Sequence, residues 1–254
     1  AVGYSALKTL NAGTNGNNTA VGKDAGLSVT TGQKNTLVGG GAGDALTDAD
    51  TNVAIGYVAL SSDTLGSGST AVGNGALRDQ NFSSGTTTYN TAVGYQAGLS
   101  TTTGERNIFI GGLAGDALTD ADRNVAIGHG ALSDDTQGSR STAIGYQALS
   151  SQNFTSATDT YNTAVGYQAG VAVTTGQQNT LIGYAAGDPV TTGIFNTVMG
   201  AFTGDALTDA DYNVAIGGNA LSTDTKGNKS TAVGYGALNG QNQTSSTHTN
   251  NVAV

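Results

Sequence analysis

A glycine recurs at nearly constant spacing along this chain of 254 residues, and the repeat restricts the possible folds more than any other feature. The four residues before it read Asn-Thr/Val-Ala-Val/Ile, as in NTAVGYQAG from Asn90 and NTLIGYAAG from Asn179. The spacing is 17 between most copies and 19 or 21 in the longer intervals. A short repeat kept over so many copies is typical of solenoids, in which each repeat adds one coil.

Each repeat has the composition of a short strand followed by a tight turn. The β-branched residues on either side of the alanine favour an extended backbone. Glycine is the residue that adopts a positive φ without a steric penalty. We therefore predict that the following glycines are structural turn residues: Gly3, Gly22, Gly39, Gly56, Gly73, Gly94, Gly111, Gly128, Gly145, Gly166, Gly183, Gly200, Gly217 and Gly234.

A 17-residue unit is too short for a helical hairpin and fits two short strands with two turns, the second strand lying at positions such as 27–31. Coils of this size would stack in parallel about 4.8 Å apart. The sequence thus predicts an all-β fold, a parallel β-solenoid (β-roll) of about 15 coils with a 17-residue period. We expect residues 1–254 to form a single repeat domain.

The first position of the repeat is Asn in eleven of the fourteen copies that include it, and Ser69, Ser141 and Ser230 replace it in the others. Stacked identical amides form hydrogen-bonded ladders along a fibre axis. We predict a structural ladder at Asn18, Asn35, Asn52, Asn90, Asn107, Asn124, Asn162, Asn179, Asn196 and Asn213.

The coils are grouped into blocks of four. The residue after the second alanine of the repeat is Leu in some coils and Gly in others, in alternating groups, and each block contains one 21-residue coil. The segment GDALTDAD recurs at Gly43, Gly115 and Gly204, with offsets of 72 and 89. Tandem duplication of a 72-residue block, with one extra 17-residue coil in the last block, accounts for both offsets.

The two faces of the strand motif carry side chains of different size. Side chains alternate along a strand, so the Thr/Val and Val/Ile positions share one face and the small Ala lies on the other. Neither face carries the charged residues of a solvated strand surface. We therefore expect both faces to be buried, and since one coil has few large side chains, we infer that a partner chain covers one of them.

Composition and charge disfavour several functional classes. The chain has 9 Lys and Arg against 18 Asp and Glu, and an acidic protein is poorly suited to bind nucleic acid or anionic lipid. It has no Cys and no run of about 20 apolar residues, so we expect neither thiolate chemistry nor membrane insertion. His129 occupies a position that is Tyr in seven copies, and His248 lies among Ser and Thr. We predict no catalytic residue and no enzyme activity.

The GDALTDAD segments are weak candidates for a metal site. Three carboxylates close together are suitable ligands for Ca²⁺, but the glycine and the distal Glu of an EF-hand loop are missing. A solvated acidic turn is the favoured interpretation, and no cofactor is expected. The candidate ligands are Asp44, Asp48, Asp50, Asp116, Asp120, Asp122, Asp205, Asp209 and Asp211.

The 21-residue coils contain the segments QNFSSGTTTY, from Gln80, and QNFTSATDTY, from Gln152, and a related segment begins at Gln241. Loops on a rigid scaffold are frequent recognition sites. The competing and favoured interpretation is that the aromatic side chains pack the loop onto its own coil or onto a neighbouring chain. The candidate recognition residues are Phe82, Tyr89, Phe154 and Tyr161.

The NTAVGYQAG motif, the Thr-Thr-Gly turns and the 17-residue period resemble the repeat region of tail-fibre proteins from phages and phage-like particles. The repeat is also similar to the head of trimeric autotransporter adhesins, whose shorter units carry a Val-Ala-Ile-Gly core. This resemblance covers the whole chain and implies a homotrimer of β-rolls, left-handed in the adhesins. Because the motif is cut at Ala1 and at Val254, we expect the chain to be a fragment of a longer fibre.

The leading hypothesis is a structural shaft segment of a trimeric tail fibre that supports host attachment, at a virion surface or otherwise outside the cell. Its partners would be other fibre or tail proteins and a glycan or protein of the host cell surface. One alternative is an autotransporter-type adhesin that binds matrix or glycan directly. A remote alternative is an ice-binding solenoid, but its Thr column is interrupted by Val53, Ile108, Val125 and Val214 and is expected to be buried.

Overall fold

The computed structural model describes residues 1–11, 13 and 16–254 and confirms the predicted fold class. These residues form a parallel β-solenoid with a 17-residue period, and no helix occurs among them. The chain divides into two compact units, Ala1–Arg123 and Asn124–Val254. The solenoid has about 14 turns, against the 15 coils expected.

In the first unit, the three-residue strands follow one another in a parallel sheet. Each residue faces the same repeat position one coil later, as Ala71 faces Ala92. Strands β4 and β6 form a separate two-stranded sheet beside the 21-residue coil, which we call the long coil. The strands are β1 (Thr19–Val21), β2 (Thr36–Val38), β3 (Val53–Ile55), β4 (Gly66–Ser67), β5 (Thr70–Val72), β6 (Thr86–Thr87), β7 (Thr91–Val93) and β8 (Ile108–Ile110).

The second unit repeats this arrangement, with two short two-stranded sheets, β10–β12 and β17–β19, beside its long coils. Its strands are β9 (Val125–Ile127), β10 (Gly138–Ser139), β11 (Thr142–Ile144), β12 (Thr158–Asp159), β13 (Thr163–Val165), β14 (Thr180–Ile182), β15 (Thr197–Met199), β16 (Val214–Ile216), β17 (Gly227–Asn228), β18 (Thr231–Val233), β19 (Thr247–His248) and β20 (Val252–Ala253).

The second strand predicted at positions such as 27–31 does not form there, although a two-residue second strand occurs later in some coils, as β4 does in a 17-residue coil. Residues 27–31 form turns and bends, although Ser28 and Thr30 still donate backbone hydrogen bonds to the next coil. The reason is a left-handed backbone at the residue after the second alanine, with φ of 60° at Gly26 and 52° at Leu60. A residue in that region interrupts an extended chain.

The turn glycines allow the coils to approach at backbone distance. Gly94 has a φ of 144°, and a Cβ atom there would lie 2.4 Å from the carbonyl oxygen of Gly111. At Gly166 the corresponding distance, to the oxygen of Gly183, would be 2.2 Å. Both the dihedral angle and the contact therefore require glycine.

The core holds the alanine column and the residues that follow the second alanine, and their volumes compensate. Leu37 and Phe109 replace the strand alanine and are fully buried. A Cβ atom at Gly26 would lie 2.6 Å from Leu37, and one at Gly98 would lie 2.5 Å from Phe109. The coils with glycine after the second alanine thus make room for large strand residues. This explains why coils with glycine and coils with leucine at that position alternate.

The asparagines at the first repeat position lie stacked beside this core. The Oδ1 atom of Asn179 accepts a hydrogen bond from the backbone N–H of Asn196 at 3.0 Å, and its Nδ2 donates to the carbonyl oxygen of Gly193 at 2.8 Å. Asn196 Nδ2 also lies 3.1 Å from Asn179 Oδ1. Each amide therefore joins its own coil to the next through buried backbone groups, which are costly to leave unpaired.

We expect Gly94→Val and Gly166→Val each to lower the free energy of unfolding by roughly 2–5 kcal/mol, because both add backbone strain and a clash between coils. The matched control is Gly85→Val, since Gly85 has no φ in the left-handed region and no atom lies within 4 Å of the place that its Cβ would take. Thermal unfolding followed by circular dichroism measures the effect. Equal melting of the Gly94 and Gly85 variants would contradict the assigned role of the turn glycines.

Candidate functional site

The first and third residues of the three-residue strands form an open surface, which we call the outward face. Their side chains point away from the core because the alanine between them points into it. Val21 and Ile110 are 41% and 39% exposed, whereas Ala20 and Phe109 are fully buried. The outward face is therefore a regular surface of Thr, Val and Ile side chains in columns.

The Thr column, which was expected to be buried with the help of a partner chain, is not buried within the single chain. The first strand residue is half-buried or exposed throughout, including Thr19, Thr36 and Val53. Of the two strand faces, one chain encloses only the inward one, so the outward face stays open unless another surface covers it.

A column of aromatic rings follows the turn glycines along the edge of the outward face. In the second unit His129, Tyr146, Tyr167 and Tyr184 stack one above another, with ring centroids 5.7, 5.2 and 5.3 Å apart. Stacked rings of this kind add to the burial of apolar area. His129 is thus one ring of a stack, and its position gives no indication of acid–base catalysis.

The four aromatic residues of the long coils fall into two groups. Phe82 and Phe154 are only 6% exposed and pack inside their own coils, so their rings are not open to a ligand. Tyr89 and Tyr161 lie at the surface. Arg140 donates a hydrogen bond to the Tyr161 hydroxyl at 2.7 Å and lies over its ring, 5.6 Å from the centroid.

A buried carboxylate holds the backbone at each of these phenylalanines. Asp135 is fully buried and accepts hydrogen bonds from Gln152 Nε2 at 2.5 Å, from the backbone N–H of Gly138 at 3.1 Å and from that of Phe154 at 3.0 Å. The last of these bonds fixes the backbone at Phe154, where the loop starts. The carboxylate therefore shapes the long coil.

Where serine occupies the first repeat position, a hydrogen-bond network around this buried aspartate and its glutamine replaces the asparagine ladder. Gln152 Oε1 accepts hydrogen bonds from Ser141 Oγ at 3.2 Å and from Asn162 Nδ2 at 2.8 Å, and Ser141 also bonds to Thr160. The network occurs at all three long coils. Its carboxylate and amide pairs are Asp63–Gln80, Asp135–Gln152 and Asp224–Gln241.

Sequence reasoning missed these three aspartates, although a signal was present. Each lies one 17-residue coil period before the glutamine of its long coil. The Gln-Asn segments therefore have a structural role in the core, and their surface tyrosines are what remains available for contacts.

The aspartates of the GDALTDAD segments serve separate local roles. Asp50 accepts a backbone hydrogen bond from Gln33 at 2.7 Å, Asp122 one from Glu105 at 2.8 Å and Asp211 one from Ile194 at 2.8 Å. Asp48 accepts a hydrogen bond from the Thr31 hydroxyl. No group of three metal-ligating side chains converges in residues 1–11, 13 and 16–254, so the candidate calcium ligands are not brought together there.

Three of the remaining carboxyl groups have perturbed acidity. Burial raises the pKa of Asp44, the backbone N–H groups of Asp44 and Ala45 oppose the increase, and the charge of Asp24 adds to it. Burial raises the pKa of Asp188, with a further contribution from Asp205, whose own pKa burial also raises. A raised folded-state pKa destabilises the fold at neutral pH, and this penalty disappears as the pH falls through the raised pKa.

Neither the family models nor the curated proteins compared with this sequence match the chain. Among the described residues there is no helix long and apolar enough to cross a membrane. The observations that bear on function are therefore the outward face, the aromatic columns and the surface of the long coils.

We expect Asp135→Asn to lower the free energy of unfolding by roughly 1–3 kcal/mol, because an amide cannot accept from Gln152 and from two backbone N–H groups at once. Asp134→Asn is the matched control, since the neighbouring Asp134 is exposed, and it should change stability by less than about 0.5 kcal/mol. Chemical denaturation compares the two variants. If both lost the same stability, the assigned role of the buried carboxylate would be wrong.

Proposed function

We propose that this protein is a structural shaft segment of a trimeric fibre, of the phage or phage-like tail-fibre type, which supports host attachment outside the cell. The observation that carries the proposal is the outward face, an apolar surface that repeats with every coil. The resemblance of the motif to tail-fibre repeats supports the same function.

The regularity of the outward face favours further copies of this chain as its partner. Its columns repeat at the spacing of stacked strands, about 4.8 Å. A partner contacts such a surface along its full length only if it has the same period. A second and a third copy meet this condition, because each presents the same columns of Thr, Val and Ile.

The exposed side chains are numerous enough to hold copies together. Burying the exposed part of one Val or Ile contributes about 1 kcal/mol. Many such side chains lie on one chain, among them Val21, Ile55, Val93, Ile110 and Ile216. The summed free energy of burying them is sufficient to exceed the cost of the translational and rotational freedom lost on association, which is roughly 4–15 kcal/mol.

The long coils provide points for lateral contacts of the shaft. The pair of Tyr161 and Arg140, with Asp159 only 3.1 Å from the guanidinium, presents a polar aromatic surface suited to a host glycan or protein. An autotransporter-type adhesin would use the same surface directly. The two possibilities differ in the segments joined to this one: a particle-attachment region or a chaperone in the first case, a membrane anchor in the second.

One observation favours ice binding as a second candidate. The outward face exposes threonines in register on successive coils, as at Thr19 and Thr36. Valine and isoleucine interrupt that column at Val53 and Ile108, so the face is less uniform than a threonine ladder. A thermal hysteresis assay on the pure protein decides the matter, and we expect no activity above that of a control protein.

We expect the protein to be a trimer in solution, and the double variant Val93→Lys/Ile110→Lys to shift it toward the monomer because three copies would bring six ammonium groups onto apolar surfaces. Multi-angle light scattering after size-exclusion chromatography measures the mass. Thr103→Lys is the control, since Thr103 is exposed in a turn away from the outward face, and it should remain trimeric. A monomeric, fully folded parent protein would overturn the proposal.

A further inference from the structure

The first unit has a surface cavity of about 220 Å³ beside the two residues that follow the turn glycine Gly39. Gly40 occupies the position that is Tyr in the next coil, Tyr57, and Gly41 follows it. Two successive glycines occur at these positions in no other copy of the repeat. The missing side chains leave a gap that has the Tyr57 ring on one side, since a Cβ atom at Gly40 would lie 3.5 Å from that ring.

The carboxylate of Asp44 lines this cavity and has an incomplete set of hydrogen bonds. Its Oδ1 atom is buried and has no hydrogen-bond partner in the part of the chain that the structure describes. Its Oδ2 atom would lie 3.6 Å from a Cβ atom at Gly41. A buried carboxylate oxygen without a donor is unfavourable, so the group gains from any cation that enters the cavity.

The other charges around the cavity do not neutralise Asp44. Asp24 adds a second carboxylate, and its charge contributes to the raised pKa of Asp44. Lys23 supplies the ammonium group nearest to the cavity, but it lies 3.5 Å from Asp24 and its side chain is mostly exposed. The cavity therefore has a surplus of one negative charge.

The remaining walls are apolar and suit a short hydrocarbon stem. Tyr57 lines the cavity with its ring, whose Cδ2 and Cε2 atoms would lie 3.5 and 3.8 Å from a Cβ atom at Gly40, and Val58 presents a methyl group that would lie 3.4 Å from a Cβ atom at Gly41. Aromatic rings attract cations as well as alkyl groups. An elongated ligand with a positive end thus finds a complementary surface at both ends.

We propose that this cavity binds a primary alkylammonium group, with the ammonium donating to the Asp44 carboxylate and the alkyl stem lying against Tyr57 and Val58. The group is that of a lysine side chain or of a free amine. This site is independent of the proposed role as a fibre shaft, because it depends on one interruption of the repeat and not on the repeat itself.

Saturation-transfer NMR on the full chain tests the proposal with n-butylammonium and with Nα-acetyl-lysine N-methylamide, and n-butanol is the neutral control ligand. We expect both cations to bind with millimolar dissociation constants and n-butanol to bind at least about tenfold more weakly. Tighter binding of the lysine derivative identifies a peptide as the source of the group, and equal binding identifies a free amine. Equal binding of n-butanol would overturn the proposal.

Two variants locate the binding. Asp44→Asn removes the charge and should weaken binding of n-butylammonium at least about tenfold. Gly40→Tyr restores the residue common at this position and should abolish binding by filling the gap, without strain because Gly40 has no φ in the left-handed region. The matched controls are Asp116→Asn and Gly112→Tyr, at the same positions of another coil, and both should bind like the parent.

The pH dependence adds an independent measurement. Only the carboxylate form of Asp44 attracts a cation, so binding should weaken as the pH falls through the raised pKa of Asp44. Lost binding in the control variants, or undiminished binding in Asp44→Asn, would show that the ammonium group binds elsewhere and would refute the proposed site.

Discussion

The close approach of one backbone turn to the next is the constraint on which this structure depends. At the turn glycines, successive coils stack so closely that a single Cβ atom would overlap a carbonyl group. That approach sets the register, and the register places each asparagine where its amide joins two coils. The alanine core, the outward face and the stacked rings all follow from this one-coil translation, because every side chain meets its own equivalent in the next coil.

Much of the fold could be predicted from the sequence because each coil encodes its own conformation. The period, the strand at Thr-Ala-Val and the inward alanine follow from local composition and alternation. The turn that follows the second alanine could not be predicted, since leucines such as Leu60 adopt a left-handed backbone that their residue type disfavours. The backbone N–H groups of Phe82 and Phe154 donate to carboxylates one coil away, and such contacts become visible only when the register is known.

Of the two proposed binding surfaces, one arises from the regularity of the molecule and the other from an irregularity. The outward face is uniform, and a surface without variation recognises best a surface that repeats in the same way. The gap beside Tyr57 exists because one coil departs from the pattern at two adjacent residues. Selective binding of a small group requires such a departure, because a perfectly periodic surface offers the same contacts at every coil.

The compensating volumes in the core have a consequence for the number of coils. A large strand residue such as Leu37 or Phe109 fits only where the preceding coil and its own coil both carry glycine after the second alanine. Inserting a coil at random would place leucine against leucine, or leave a void beside alanine. Lengthening is tolerated as a whole block of four coils, or as a single coil between two coils that carry glycine after the second alanine, as the coil with Leu181 and Gly187 lies between those with Gly170 and Gly204. The core therefore permits only certain coil numbers, and duplication can extend the chain only in discrete steps.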